Sequence, residues 1–188
     1  DMEELNLRVK NAIQRAERES LTDPRSGLPA GRLIEDQLRE IIRKDDWAYI
    51  DIRIHDFEPF REVYGFVAGD DVLRFTAMLL NEIVDEYGTP ADFIGHAGGE
   101  HFMMICALEN APTIKQNIQA EFNRKILSHY HFIDREKNFI TTINGEGIEK
   151  RHPIMHLSFG VVSPATHQFA DIREITELAA DDRRSRYN

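Results

Sequence analysis

Cysteine is nearly absent. The single thiol, Cys106, sits inside an apolar run, so no disulfide framework is available and a reducing, cytoplasmic setting is expected. No apolar stretch approaches the roughly 20 residues that cross a bilayer, and the N-terminus lacks a signal-peptide pattern. Positive charge is scarce as well: 23 Lys and Arg face 33 Asp and Glu, a net charge of −10. That balance argues against non-specific binding to a nucleic acid polymer or an anionic membrane, while leaving room for a local basic pocket. Internal repeats and low-complexity segments are missing too. What is present is 188 residues with 41% hydrophobic content, enough for one globular domain with a short appendage. The chain begins at Asp1 rather than methionine and reads as an excised piece of something longer.

Residues 1–20 contain no Gly or Pro, and Met2, Leu5, Val9, Ala12 and Ala16 alternate at spacings of three and four. This predicts a helix with a narrow apolar stripe. The stripe is either the seam of a short coiled coil or a face laid on the chain's own domain. Asp-Pro, Ser-Gly and Leu-Pro then crowd into LTDPRSGLPAGRL and stop the helix. Leu33–Ile42 returns to helical spacing. WAYIDIRI (47–54) is β-rich, with Asp51 and Arg53 on one face. FEPFREVYG is a short helix or loop ending at Gly65, and a helix follows from Gly69 to a C-cap at Gly88. Gly-Asp before that apolar helix makes Asp70 an N-cap candidate. ADFIGHAGGEHFMMICAL reads as a hairpin turning at Gly98–Gly99. Ile114, Ile118, Phe122 and Ile126 mark another helix, residues 131–164 two or three strands, and 172–186 a last helix. The order implies an α+β sandwich, with helices over a largely antiparallel sheet.

Four stretches, in order, resemble the GGDEF family, the diguanylate cyclase domains of bacterial signalling. DPRSGLPAGRL looks like that family's leading motif, and FEPFREVYGFVAGDDVL is similar to its Phe-Lys-x-x-Asn-Asp-x-x-Gly-His-x-x-Gly-Asp segment. GGEHF sits at the Gly-Gly-Asp/Glu-Glu-Phe signature, and LSFGVV resembles its late Ser-Ile-Gly-Val strand. The resemblance runs from Asp23 to about Asp181. It implies a nucleotidyl cyclase palm-like domain over residues 21–188, preceded by a signalling stalk over 1–20. In active members two such domains, each holding GTP, form cyclic di-GMP by attack of a 3′-hydroxyl on an α-phosphorus. Carboxylate-held Mg²⁺ screens the phosphates, and the glycines let backbone approach them.

The chemical positions depart from this pattern. Where the resemblance implies a metal aspartate, the chain has Arg53, whose guanidinium cannot ligate Mg²⁺. Asp51, two residues earlier on the same face, is the substitute carboxylate, but only if the strand slides by a full pleat. Gly98, Gly99 and Glu100 keep their places, while His101 replaces the next glutamate. On the nucleotide side, Glu58 replaces the phosphate lysine and Arg61 the guanine-reading asparagine. Asp70 matches the second guanine contact, and Phe66 replaces a histidine. The inhibitory Arg-x-x-Asp reads TPAD, so Thr89 stands for the arginine and only Asp92 matches; His96 replaces a later arginine. Arg183 stands near the phosphate lysine of the C-terminal motif, or is a basic helix end facing the dipole. His129, His131, His152 and His156 are scattered on predicted strands without ligand spacing.

The expectation is a degenerate GGDEF domain acting as a regulatory or interaction module without catalysis. It would dimerise through residues 1–20 and take its input from an upstream sensor or receiver domain, as a response-regulator output does. No cofactor is expected. An active or altered diguanylate cyclase, with Asp51 and Glu100 holding Mg²⁺ for GTP, is the enzyme alternative. A module that senses GTP or cyclic di-GMP without turning it over is the third.

Overall fold

The computed structural model describes residues 1–187, and the backbone alone for residues 14–20. The elements run α1 (Met2–Leu21), α2 (Arg32–Ile41), β1 (Trp47–His55), α3 (Phe57–Tyr64), α4 (Phe66–Tyr87), β2 (Phe93–Gly98), β3 (His101–Ala107), α5 (Ala111–Lys125), α6 (Phe132–Lys137), β4 (Phe139–Ile143), β5 (Glu149–Pro153), β6 (His156–Val162) and α7 (Ile172–Tyr187). The main sheet has the order β2-β3-β1-β6, with antiparallel neighbours throughout. β4 and β5 form a separate two-stranded ladder. This is the expected α+β arrangement of helices on an antiparallel sheet.

Strand alternation explains where polar chemistry collects. One face of β1 presents Ala48, Ile50, Ile52 and Ile54, each at most 1% exposed, to a core containing Leu73, Leu80, Ile114 and Ile118 of α4 and α5. Each isoleucine buried there contributes about 2 kcal/mol. The other face is divided along its length. Trp47 and Tyr49, with Met103, Ile105 and Val162, pack on Ile34 and Leu38 of α2 and on Ile175 and Ala179 of α7. Farther along the same face the residues turn polar: Asp51, Arg53 and His55 on β1, His101 on β3, Ser158 on β6. The sequence therefore builds an apolar clamp at one end of this face and a charged site at the other. α7 lies close over β6 at Gly160, where an added Cβ would collide with the Ala179 carbonyl and lie 2.7 Å from the Arg183 nitrogen.

Several sequence expectations change. α4 starts a turn earlier than expected, because Gly65 (φ 96°) breaks the chain between α3 and α4. Asp70 is therefore inside the helix and is not its N-cap. Residues 132–137 are helical rather than extended. His129 lies in a short 3-10 turn and His131 precedes α6, so neither is on a strand. The helix over residues 1–20 is present as α1. Met2, Leu5 and Val9 are 77%, 59% and 50% exposed, so its first thirteen residues do not lie on the domain. Ala16 of the expected stripe falls outside the described side chains.

Candidate functional site

The glycine turn joins β2 to β3 as expected. Gly98 (φ 123°) and Gly99 (φ 52°) adopt left-handed backbone that favours glycine, and a Cβ at either would meet nothing within 4 Å. The space above the turn is therefore open. The turn is tied back to β1, where the Ile54 N–H donates to the Glu100 carbonyl at 3.0 Å.

Below the turn lies His96, which is 1% exposed. Its Nε2 is 2.7 Å from the Gly99 carbonyl and its Nδ1 is 2.8 Å from Ser26 Oγ. The carbonyl accepts only, so Nε2 carries the proton and Nδ1 accepts from the Ser26 hydroxyl. The ring stacks on Phe102 at 4.4 Å, and burial holds its pKa below the ordinary histidine value. Asp23 Oδ2 lies 3.3 Å from Nδ1. Burial works to raise the Asp23 carboxyl, but hydrogen bonds from Arg25 outweigh it and hold it low. The leading motif is thus fastened to the turn through His96. By sequence His96 stands only as the replacement of an arginine. Its place in a strand of small and apolar residues was the available signal.

At the expected metal position, β1 and β3 pair Arg53 with His101, without any slide of the strand. Arg53 Nη2 lies 3.8 Å from Glu100 Oε1, and His101 Nε2 lies 3.8 Å from the same oxygen. The Arg53 guanidinium therefore stands beside the carboxylate that was expected to hold a cation. Its Nε is buried without a hydrogen-bond partner. Burial lowers the His101 pKa, against the opposing pull of Glu100, so the ring is neutral near pH 7. Asp51, the substitute carboxylate, is 8% exposed and accepts from Arg183 Nε at 3.0 Å. Arg183 is itself 4% exposed, so it is a buried partner rather than a solvated helix end. Among the described residues no group of three or more His, Cys, Asp or Glu is placed to share a metal ion. Mg²⁺ needs hard oxygen ligands around an open centre. A guanidinium, one carboxylate and an imidazole do not fit it.

The nucleotide-side residues form a second cluster on α3 and α4. Arg61 Nη2 donates to both Glu58 oxygens, at 2.6 and 2.8 Å. Its guanidinium lies 5.6 Å from the Phe57 ring and 5.0 Å from the Phe66 ring. Its stem passes so close to Gly69 that a Cβ there would sit 3.1 Å away. Arg61, expected at the guanine-reading position, is thus engaged by Glu58, Phe57 and Phe66. Asp70 is near enough to Arg25 to help raise the arginine pKa. Thr89 and Asp92 are elsewhere, at the α4–β2 turn. Asp92 accepts from the Thr89 N–H at 3.0 Å and its hydroxyl at 3.1 Å, so it serves the turn.

Three histidines meet beside the charged face. His55 Nε2 is 2.6 Å from Ser158 Oγ, and its ring stacks on Tyr187 at 3.9 Å and His156 at 5.1 Å. Asp56 stands between His152 Nδ1 at 3.8 Å and His156 Nδ1 at 3.7 Å. Burial, with Arg53 next in effect, lowers the His55 pKa to about 4. His55 and His156 are some 100 positions apart in the chain, and the β1–β6 pairing sets them opposite each other.

A family model described as "Diguanylate cyclase, GGDEF domain" matches residues 20–180. No match was found among curated protein sequences. Three solved structures illustrate the structural likeness. The coiled coil and GGDEF domain of DgcB from Caulobacter crescentus, in complex with c-di-GMP, is 17% identical with a TM-score of 0.66, covering 96% of this chain and 87% of that one. Diguanylate cyclase SiaD from Pseudomonas aeruginosa, solved with its activator SiaC, is 18% identical with a TM-score of 0.63, covering 97% and 66%. The FimX GGDEF domain from the same organism is 16% identical with a TM-score of 0.63, covering 89% and 95%. At these identities the likeness establishes the fold.

Proposed function

The chain belongs to the GGDEF family, related to the diguanylate cyclases of cyclic di-GMP signalling, and from this premise we propose that it is a non-catalytic regulatory or interaction module. One observation supports the reading: Arg53, at the position where the resemblance implies a metal aspartate, stands 3.8 Å from Glu100. Cyclisation of GTP requires charge screening along the triphosphate and a lowered pKa at the attacking hydroxyl, both of which metal supplies in this chemistry. A guanidinium gives one positive charge but lowers no hydroxyl pKa by coordination. The enzyme alternative needs Asp51 to turn toward Glu100. Asp51 is instead held by the buried Arg183, and releasing it would leave two unpaired buried charges.

The input side of the proposal rests on α1. Its exposed Met2, Leu5 and Val9 support a parallel pairing with a second copy, with an upstream sensor or receiver domain feeding the stalk in a cytoplasmic protein. SiaD, solved with its activator SiaC, is a similar protein whose partner is another protein. A protein partner for this chain is in keeping with that example. A nucleotide-sensing role is the second reading, favoured by the open space above Gly98 and Gly99.

The test is incubation of the purified chain with GTP and Mg²⁺ or Mn²⁺, followed by chromatography for cyclic di-GMP. No product above a Glu100→Ala control is expected. Product above that control overturns the proposal. Calorimetry with GTP and cyclic di-GMP separates the sensor from a pure interaction module, since the latter gives no heat of binding at millimolar ligand.

A further inference from the structure

One cavity of the domain has none of its lining residues at Arg53 or Glu100. It measures about 460 Å³ and lies between the C-terminal end of α4, the 28–29 segment and the start of β2. Leu28, Pro29, Val84, Phe93 and Ile94 make its walls. Asp85 and Asp92 stand on its lining, and no Lys or Arg does. Asp92 already accepts two bonds from Thr89. Asp85 is exposed and makes no ion pair among the described residues.

The helix adds to the negative potential. α4 is 22 residues long and has no basic residue in its last turn. Its C-terminal carbonyls carry partial negative charge that nothing on the helix offsets. Two carboxylates, a helix C-terminus and an aromatic ring therefore converge on one apolar recess. A phosphate-bearing ligand would meet repulsion from each carboxylate. A guanidinium would meet the Asp85 carboxylate, the Phe93 ring and apolar wall for its methylene stem.

We propose that this cavity receives an arginine side chain from an apolar segment of a partner protein. The chain's net charge of −10 adds a general attraction for a basic partner. Thr89 lines the cavity with a short side chain.

The probe is the tripeptide acetyl-Leu-Arg-Leu-amide, titrated into the full 188-residue chain and followed by backbone amide NMR. Saturable shifts at Gly88, Thr89, Asp92 and Phe93 are expected at millimolar peptide. The citrulline analogue has the same shape without the charge, and should bind about fivefold more weakly or worse, the scale of one solvent-exposed charge contact. Asp85→Asn should weaken the arginine peptide by a similar factor, and Thr89→Arg should abolish binding by filling the recess from within. Both positions are exposed, so amide spectra of the variants should remain those of a folded chain. Equal binding of the arginine and citrulline peptides, or no effect of Asp85→Asn, overturns the proposal. Tighter binding of free benzamidine than of the peptide overturns the assignment to a protein side chain.

Discussion

The Asp51–Arg183 pair links the middle of the sheet to α7, so its removal should register as lost stability. Replacing Arg183 by Met keeps much of the side-chain volume but leaves the Asp51 carboxylate 8% exposed without its cation. Breaking a buried pair from one side costs about 3–5 kcal/mol. The lower end, about 3 kcal/mol, is expected here, because the carboxylate is 8% exposed rather than fully buried. Removing both partners together, Asp51→Leu with Arg183→Met, should bring stability back to within about 1 kcal/mol of the parent, since no charge is then left buried. The coupling energy of the cycle is therefore about 2 kcal/mol or more. Urea unfolding measures it, with fluorescence of Trp47 as the reporter; that ring is 5% exposed and stacks on Phe169 at 5.6 Å under the helices concerned. A cost below about 1 kcal/mol for the single variant, or simple additivity in the double, would refute the reasoning.

Gly160→Ala should cost about 3 kcal/mol, the upper end for overpacking, because the added methyl meets backbone of α7 that has no rotamer to change; a shift of the urea midpoint checks it. Stability should fall on acidification through His55. Its folded pKa of about 4 lies below the unfolded value near 6.5, so the unfolded state binds more protons between the two. The stabilisation is complete above about pH 6.5 and lost as pH drops toward 4, by about 2 kcal/mol after allowance for solvent; a His55→Gln variant should show a flatter profile over that window. Deleting residues 1–20 should turn a dimer into a monomer in sedimentation, and a truncated chain that still sediments as a dimer would remove the pairing role of α1.

The fold was readable because alternation in WAYIDIRIH and three- and four-residue spacing in the helices report burial directly. The spacing Phe57–Gly65–Gly98 also located the glycine turn. Asp70 misled because the Gly-Asp pair looks like a helix start, whereas the left-handed break comes at Gly65, four residues earlier. The α6 segment misled because Phe132 and Ile133, being 66% and 64% exposed, look apolar enough for a strand. The Asp51–Arg183 contact spans 132 positions, and no local pattern announces a pairing of that range. The same holds for His55 with Ser158 and for Ser26 with His96, which need the completed sheet before they meet.

Arg53 is proposed to exclude a divalent cation from Glu100. Titrating Mn²⁺ into the chain, with and without GTP, and reading free Mn²⁺ by electron paramagnetic resonance tests it most directly. The account predicts that the free-ion signal of the parent chain follows that of buffer or of GTP alone, while Arg53→Asp draws Mn²⁺ out of solution. Capture of Mn²⁺ by the parent chain at micromolar concentration, lost in Glu100→Ala, would contradict it.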